Sequence, residues 1–479
     1  DGAAISIVNR TGYKGLGDIT VTGGTFTAKG TNAAIKAYNW DNTNKKEDTF
    51  TESNKVSVSG GTFSSEIPEN CCAPGFEPTQ NNDGTHGVKT KANMAAEVLD
   101  AQGKTVGAYN TLTDAIAAAK DGETVTLLKD AETTVELSFT NKAITLDLNG
   151  KTVSGTFTDN FSVIEAGADA SLTVQDTSVA GTGKIASDKY GISARDGGAL
   201  IVKSGTIESE YAPLSGNNTT GNMNFTVNGG TLTAKSGPAI YMPGQVSLTI
   251  TDGVLNGGIS LRMGQVNISG GTINAITTGI DMPTDTLNGK PAYAYSGNVW
   301  FPDALYVIGG TYTSTDATYG NSLKMNITGG TFNCTNGKGS AVAIYDLGKV
   351  AQTANVTISG DAKFATNSAE RNAYQVVSFA DMNATPITGY GNTEMVGKVA
   401  SAISGGTFSS EVKPEYCAEG YIPKDNGDGT YGVTRPSSSS SSRYNVTAPK
   451  ADHGTVTVSP KRASKGDTVT VTVKPDSGY

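Results

Sequence analysis

Two histidines, four cysteines and 45 carboxylates are the residues of this 479-residue chain suited to acid–base, nucleophilic or metal chemistry. Cleavage of a glycosidic bond needs two carboxylates facing one groove, about 5–9.5 Å apart. Acids at matching places on strands about 4.8 Å apart would qualify, but no convincing recurrence of that kind is present. Arg195-Asp196 runs into Gly197-Gly198 and reads as a turn. His86 and His453 have no matching Ser, Cys or carboxylate partner in the sequence. Cys71, Cys72, Cys334 and Cys417 have no second Cys/His pair at zinc spacing, and they do not make a disulfide framework for a chain this long. They read as thiols packed as small apolar groups; a vicinal Cys71–Cys72 bond is the strained alternative. Asp425-Asn426-Gly427-Asp428-Gly429 lacks the alternating acids and the later Glu of a calcium loop, and reads as a tight turn. The expectation is no metal, no cofactor and no catalysis, with a carbohydrate-active lyase or hydrolase as the alternative.

The aromatic residues are better placed for binding. Three interruptions break the strand rhythm described below: Tyr38-to-Phe50, Asp281-to-Phe301 and Phe364-to-Ala400. The first holds Tyr38 and Trp40, and the second holds Tyr293, Tyr295 and Trp300. Rings on exposed loops can stack on the apolar faces of sugars. These five are the candidate ligand-binding residues, for glycan or host-surface ligands. Two other readings stay open: the rings pack their loops onto the body of the protein, or they meet a protein partner.

Glycine is 60 of 479 residues, about 12.5% against a usual value of about 7%. Collagen is excluded because glycine does not recur every third residue. Lys plus Arg is 36 against 45 Asp plus Glu, a net charge of −9. That argues against a nucleic-acid partner, since phosphate binding needs a basic surplus. No run approaches the roughly 20 apolar residues that cross a bilayer, so no membrane insertion is expected. Asp1-Gly2-Ala3-Ala4 begins in mid-pattern without a basic and apolar leader. The sequence reads as a piece of a longer protein, with its export signal and cell-wall attachment outside this chain.

A short repeat organises most of the chain. A β-run, then Gly-Gly-Thr, then an apolar or aromatic residue recurs, as in Val58-Ser59-Gly60-Gly61-Thr62-Phe63 and Val227-Asn228-Gly229-Gly230-Thr231-Leu232. Ile268 to Ile273, Ile308 to Tyr312, Ile327 to Phe332 and Ile403 to Phe408 follow the same form. Around each motif apolar and polar residues alternate, the mark of a strand with one buried face. Gly61, Gly230, Gly271, Gly310, Gly330 and Gly406 are assigned a structural role, bending the chain sharply between strands. A third short strand often follows, such as Ala239-Ile240-Tyr241-Met242. Three strands in about 20–25 residues is the arithmetic of a parallel β-helix. A propeller blade needs about 40–45 residues, twice the observed return distance.

A long repeat encloses the short one. SSEIPENCCAPGFEPTQNNDGTHGV, residues 64–88, aligns without a gap to SSEVKPEYCAEGYIPKDNGDGTYGV, residues 409–433. Cys72 meets Cys417, an offset of 417 − 72 = 345, so both count as structural positions of this cassette. His86 meets Tyr431, so the cassette does not require an imidazole. Residues 1–88 are then the C-terminal part of one β-helix unit, and 89–433 are a complete second unit. YNTLTDAIAAAKDG, from Tyr109, predicts a capping helix near 111–120, with Thr111 or Thr113 as N-cap and Gly122 to close it. Glu123-to-Leu128 and Ala143-to-Leu148 are the expected first strands. Asp428-Gly429 predicts a hairpin that closes the other end. At about 20–25 residues per coil, the unit fits about 12–14 coils after its caps. Ser437 to Ser442 lie in a flexible linker, 434–443. Residues 444–479 show new alternating strands of a small, incomplete β domain; from Arg443 onward six Lys/Arg face three Asp/Glu, a net +3.

These segments resemble repeat-containing surface proteins of Gram-positive gut bacteria, whose modules are pectate-lyase-like right-handed β-helices. The resemblance is carried by YNTLTDAIAAAKDGETVTLLKD, ITLDLNGKTVSG and the two cassettes. YNVTAPKADHGTVTVSPKRASKGDTVTVTVKPDSGY resembles an internalin-type B repeat. The resemblance implies an all-β fold and a secreted, wall-associated, extracellular protein whose β-helices act as stalk or adhesive modules. Right-handed β-helices also include polysaccharide-cleaving enzymes, but the Asn-Thr-Asp, Asp-Asp, Gly-His-Gly and Arg-Ile-Lys set of the polygalacturonases is missing here.

Overall fold

A computed structural model describes residues 2–10, 19–40, 45–48, 56–216, 223–276, 286–287, 290–291, 301–308, 322–345, 353–377, 398–436 and 443–479. From Thr124 to Phe408 the chain winds as a parallel β-helix with three sheets. The first sheet begins with Thr124–Leu127, Ala143–Asp147 and Ser171–Gln175. The second begins with Ala131–Thr133, Thr152–Gly155 and Lys184–Ser187. The third begins with Leu137–Phe139, Ser162–Ala166 and Tyr190–Ala194. Each strand pairs in parallel with its counterpart one coil further on.

The register explains why the sequence alternates. On the first sheet Val125, Leu146, Val174, Val202, Val227, Ile250, Ile268, Ile327, Ile358 and Ile403 form one continuous inward row. All of them are buried. Burying each such side chain stabilises by about 1.5–3 kcal/mol, and each fills space beside its neighbours above and below. The row has ten members among the described residues, fewer than the dozen or so coils expected from length. The reason is spacing: Leu146 and Val174 are 28 residues apart, and later coils carry long connections.

Most of the described Gly-Gly-Thr motifs do not separate two strands; the one at Ile403 to Phe408 does, between Lys398–Ile403 and Thr407–Phe408. Met223–Ala234, Ile240–Gly257, Ile259–Ala275 and Ser322–Cys334 each run without a break from the first sheet into the second. Register shifts mark the corner, as at Val227/Asn228 and Asn228/Thr231. Gly230 shows why glycine stands there. Its φ is +81°, and a Cβ would sit 2.7 Å from the Gly205 carbonyl of the preceding coil. Gly61, Gly271, Gly330 and Gly406 also have positive φ; Gly310 lies outside the described residues.

Two acids, buried Asp147 and half-buried Asp176, tie the corner in the earliest coils. Asp147 accepts the Asn149 and Thr177 N–H groups at 3.0 and 3.1 Å and the Thr177 hydroxyl at 2.7 Å. Asp176 accepts from the N–H groups of Gly183, Gly150 and Ser178 at 2.6, 2.8 and 3.1 Å. Burial pushes the Asp176 carboxyl up, but those donors together hold it below the usual range. Further along, Thr233, Asn256, Asn274 and Asn333 form an outward side-chain ladder on the second sheet, with links of 3.1, 2.8 and 3.0 Å. The third sheet breaks the half-buried pattern. Ser193, Ser215, Tyr241, Ser260, Tyr306 and Ala343 alternate with its inward residues and are buried as well.

The amino-terminal cap is a hairpin and a helix together. Ala96–Leu99 and Thr105–Tyr109 pair antiparallel, and Ala96–Leu99 pairs antiparallel with the first coil. The helix is Leu112–Ala118, capped by Thr111, whose hydroxyl accepts the Asp114 N–H at 3.1 Å. Leu112, Ala115 and Ile116 face the core. Gly122 has φ +80° in the turn that follows. The free carbonyls at the helix C-terminus are met from the next coil: Lys142 Nζ donates to Ile116 and Ala119 O at 2.7 Å and to Ala117 O at 3.3 Å. Burial lowers the Lys142 ammonium pKa, with Glu123 opposing the shift. Lys142→Met keeps the stem and removes the donors. It is expected to cost about 1 kcal/mol, because the site is partly solvent-screened. Urea unfolding would read that loss, and amide exchange would show it concentrated in Leu112–Ala118.

The carboxy-terminal cassette closes the stack with an antiparallel hairpin, Ile422–Asp425 with Tyr431–Thr434. The last strand, Thr407–Phe408, pairs antiparallel to it through Phe408 and Tyr431. The first cassette has the same geometry at Phe63 and His86, with Phe76–Gln80 against His86–Thr90. Before it, Ile5–Arg10 pairs in parallel with Ile35–Trp40, and Ile19–Phe26 with Val56–Phe63. In the tail, Gly454–Ser459 pairs antiparallel with Thr470–Pro475, and Tyr444–Asn445 with Arg462–Ala463.

Candidate functional site

The candidate aromatic residues do not share one setting. Tyr38 is not on an exposed loop. It lies in strand Ile35–Trp40 and is only 8% exposed, because that strand continues past Ala37 between two partners. On one side it pairs with Ile5–Arg10, on the other with Lys45–Asp48. Trp40 ends the same strand, in register with Arg10 and Lys45. Tyr293, Tyr295 and Trp300 lie outside the described residues. Phe301 and Phe364, which border two of the interruptions, are core residues.

The interruptions fall between strands at two corners of the stack. In early coils the passage from third to first sheet takes four residues, 167–170 and 195–198. Later passages at that corner span 309–321, 346–352 and 378–397. Residues 276–304, which include Tyr293, Tyr295 and Trp300, instead connect the second sheet to the third.

That second-to-third corner carries the clearest surface chemistry among the described residues. Phe161 is exposed, and Tyr190 and Tyr211 are half-exposed one coil apart, with ring centroids 5.3 Å from each other at a tilt of 45°. The Tyr190 N–H donates to Phe161 O at 3.2 Å, and the Tyr211 N–H to Lys189 O at 2.9 Å, so the backbone fixes the three rings in succession. Burial raises the Tyr190 phenol pKa, and Tyr211 adds to it. Glu136 stands one coil before Phe161 and accepts the Ser162 N–H at 2.8 Å. Burial raises its carboxyl; Glu165 adds to the rise, while the Ser162 amide and Arg195 oppose it. Glu165 faces out from Ser162–Ala166 and meets Arg195 Nη2 at 2.9 Å.

A carboxyl of raised pKa beside an ionised one is the pairing that glycosidic cleavage uses. Here Arg195 neutralises Glu165, and the Ser162 amide occupies one oxygen of Glu136. The group ties three coils together and places acceptors beside aromatic faces. Asp196 and Gly197, with φ of +53° and +90°, complete the turn after Arg195. Phe161, Tyr190 and Tyr211 interrupt no strand, so the sequence pattern does not single them out. Their alignment follows from coil length, at spacings of 190 − 161 = 29 and 211 − 190 = 21 residues.

All four cysteines are free thiols. Burial pushes Cys71 and Cys334 up to about 12 and Cys72 to about 11, so they are protonated and unreactive at neutral pH. Cys72 and Cys417 occupy the same bridge in the two cassettes, opposite Val58 and Ile403. Among the described residues, no group of three or more His, Cys, Asp or Glu could hold a metal ion. No helix among them is long and apolar enough to cross a membrane.

By fold, then, this is a parallel β-helix protein with a capped stack and a carboxy-terminal β domain of another kind. Residues 444–479 match the family model of the divergent InlB B-repeat domain. That domain is typical of bacterial surface proteins, so the tail points to a surface-protein role and an extracellular setting. A search of curated proteins found no match, and neither did a search of solved structures. The pectate-lyase-like part of the resemblance rests on the sequence motifs alone.

Proposed function

We propose that this is a non-catalytic, wall-associated surface stalk of the adhesin type, which carries attachment sites for host or glycan ligands on the corners of its stack. The observation that supports attachment is the Tyr190–Tyr211 ring pair, half-exposed beside Phe161 and fixed by backbone hydrogen bonds. Sugars stack on such faces through their C–H groups, and the loss of one stacking ring typically costs about 1 kcal/mol. The stalk role is supported by the continuous inward rows, which couple each coil to the next.

A glycan array with the full chain tests this. Binding is expected, and Tyr190→Ala with Tyr211→Ala is expected to weaken it by about ten-fold, at about 1.4 kcal/mol per decade. Unchanged binding by the double variant would remove this corner from the reading. The raised Glu136 carboxyl favours a second reading, a polysaccharide-cleaving protein. Release of reducing ends from plant or mucin polysaccharides, lost in Glu136→Gln, would establish it and displace the stalk.

A further inference from the structure

The 25-residue cassette occurs twice with one backbone geometry, and its two copies meet different neighbours. At the first copy, the Ala108 N–H donates to Pro74 O at 2.7 Å, while the Lys91 N–H donates to Gly75 O at 2.7 Å as the last rung of the cassette's own hairpin. Ala73 and Phe76 are buried against Met94 and Ala108 of the second unit's cap. Gly75 has φ +79°, and a Cβ there would collide with the backbone carbonyl of Ala108. The matching Gly420 has φ +78°, yet nothing lies within 4 Å of a Cβ at that position. Ala418 and Tyr421, the counterparts of Ala73 and Phe76, are half-exposed.

Three substitutions accompany this difference. Glu419 stands in place of Pro74 and would set a charge on the contact face. Tyr421 replaces Phe76, and the Arg435 guanidinium covers its ring at 5.0 Å. Pro436 replaces Lys91 and has no N–H to give the Gly420 carbonyl.

We propose that the cassette is a coupling surface whose partner is the capping hairpin of an adjoining β-helix unit. Positions 74 and 76 set the coupled state, and Glu419 and Tyr421 set the released state. Residues 1–88 and 89–433 then move as one body. This does not depend on the adhesive reading.

The test pairs Gly75→Ala with Gly420→Ala in the full chain. Both place a Cβ at nearly the same positive φ, so the backbone strain is common to the two and only the first meets a neighbour. Amide exchange at Ala108 is expected to rise by about ten-fold or more in G75A and to stay within about two-fold of the parent in G420A. Equal effects of the two substitutions, or an unchanged Ala108 in G75A, would overturn the proposal. If G75A does not fold, Pro74→Glu reads the same coupling by setting the second copy's charge on the contact face. It is expected to speed exchange at Ala108, whereas Glu419→Pro leaves the protein as it was; an unaltered Ala108 in P74E counts against the proposal.

Discussion

Phe364→Ala is expected to destabilise the carboxy-terminal coils by about 3–5 kcal/mol, the usual cost of deleting a buried aromatic ring. Phe332, Phe364 and Phe408 each follow a glycine corner and stack inside the second sheet, at centroid distances of 4.9 and 4.7 Å and interplanar angles of 16° and 11°. Phe364 is the middle ring and is 1% exposed, so its loss opens a cavity between two faces that cannot close on each other. Coils touch only their neighbours, so the damage should stay local. Amide exchange should accelerate in Lys363–Thr366 and Lys398–Ile403 and remain slow in Ser171–Gln175. Uniform acceleration along the stack would contradict a nearest-neighbour rod. The first unit repeats the arrangement with Phe26 and Phe63 at 4.9 Å, an internal reference for the same contact.

Asp303→Ala should cost a similar amount, about 3–5 kcal/mol, for a different reason. Asp303 is fully buried where the chain enters the third sheet. It accepts the Ser340 N–H and the Tyr345 hydroxyl, both at 2.6 Å. Tyr345 in turn stacks on Phe301 at 4.7 Å, and Phe301 meets Tyr306 edge-on at 5.0 Å. Alanine would remove the acceptor shared by the Ser340 N–H and the Tyr345 hydroxyl beneath this aromatic group. Asp303→Asn keeps one acceptor for Ser340 and should cost only about 1–2 kcal/mol. Chemical denaturation of both variants checks the order; an alanine variant no weaker than the asparagine one would mean that water replaces the carboxylate.

The inward rows were legible because their signal is local. Val266-Asn267-Ile268-Ser269 alternates on its own, whatever coil lies beside it. The cassette hairpin was legible in Asp428-Gly429, and the helix in its apolar spacing and Thr111. The capping hairpin was missed. Its signal was the turn at Asp100 to Gly103 between two short alternating runs, where Asp100 accepts the Gln102 and Lys104 N–H groups. Asp147 and Asp176 could not be recognised as corner acids, because Asp147's main partner, Thr177, is 30 residues away in the next coil. The aromatic corner failed for the same reason: which residues share a corner depends on coil length, and that varies. Tyr38 shows the opposite error, where a break in rhythm was taken for an exposed loop although both edges of the strand were paired.

The direction of the ladder bonds has a mechanical consequence. They run from coil to coil, along the axis that a tether would load, so a pull on the two ends tests one row at a time instead of all rows at once. The coil from Phe225 to Leu248 contains 248 − 225 = 23 residues. Drawn out straight it would span about 75–80 Å, against a rise of about 4.8 Å in the stack. Under sudden drag a molecule built this way could pay out line coil by coil and rewind when the load falls.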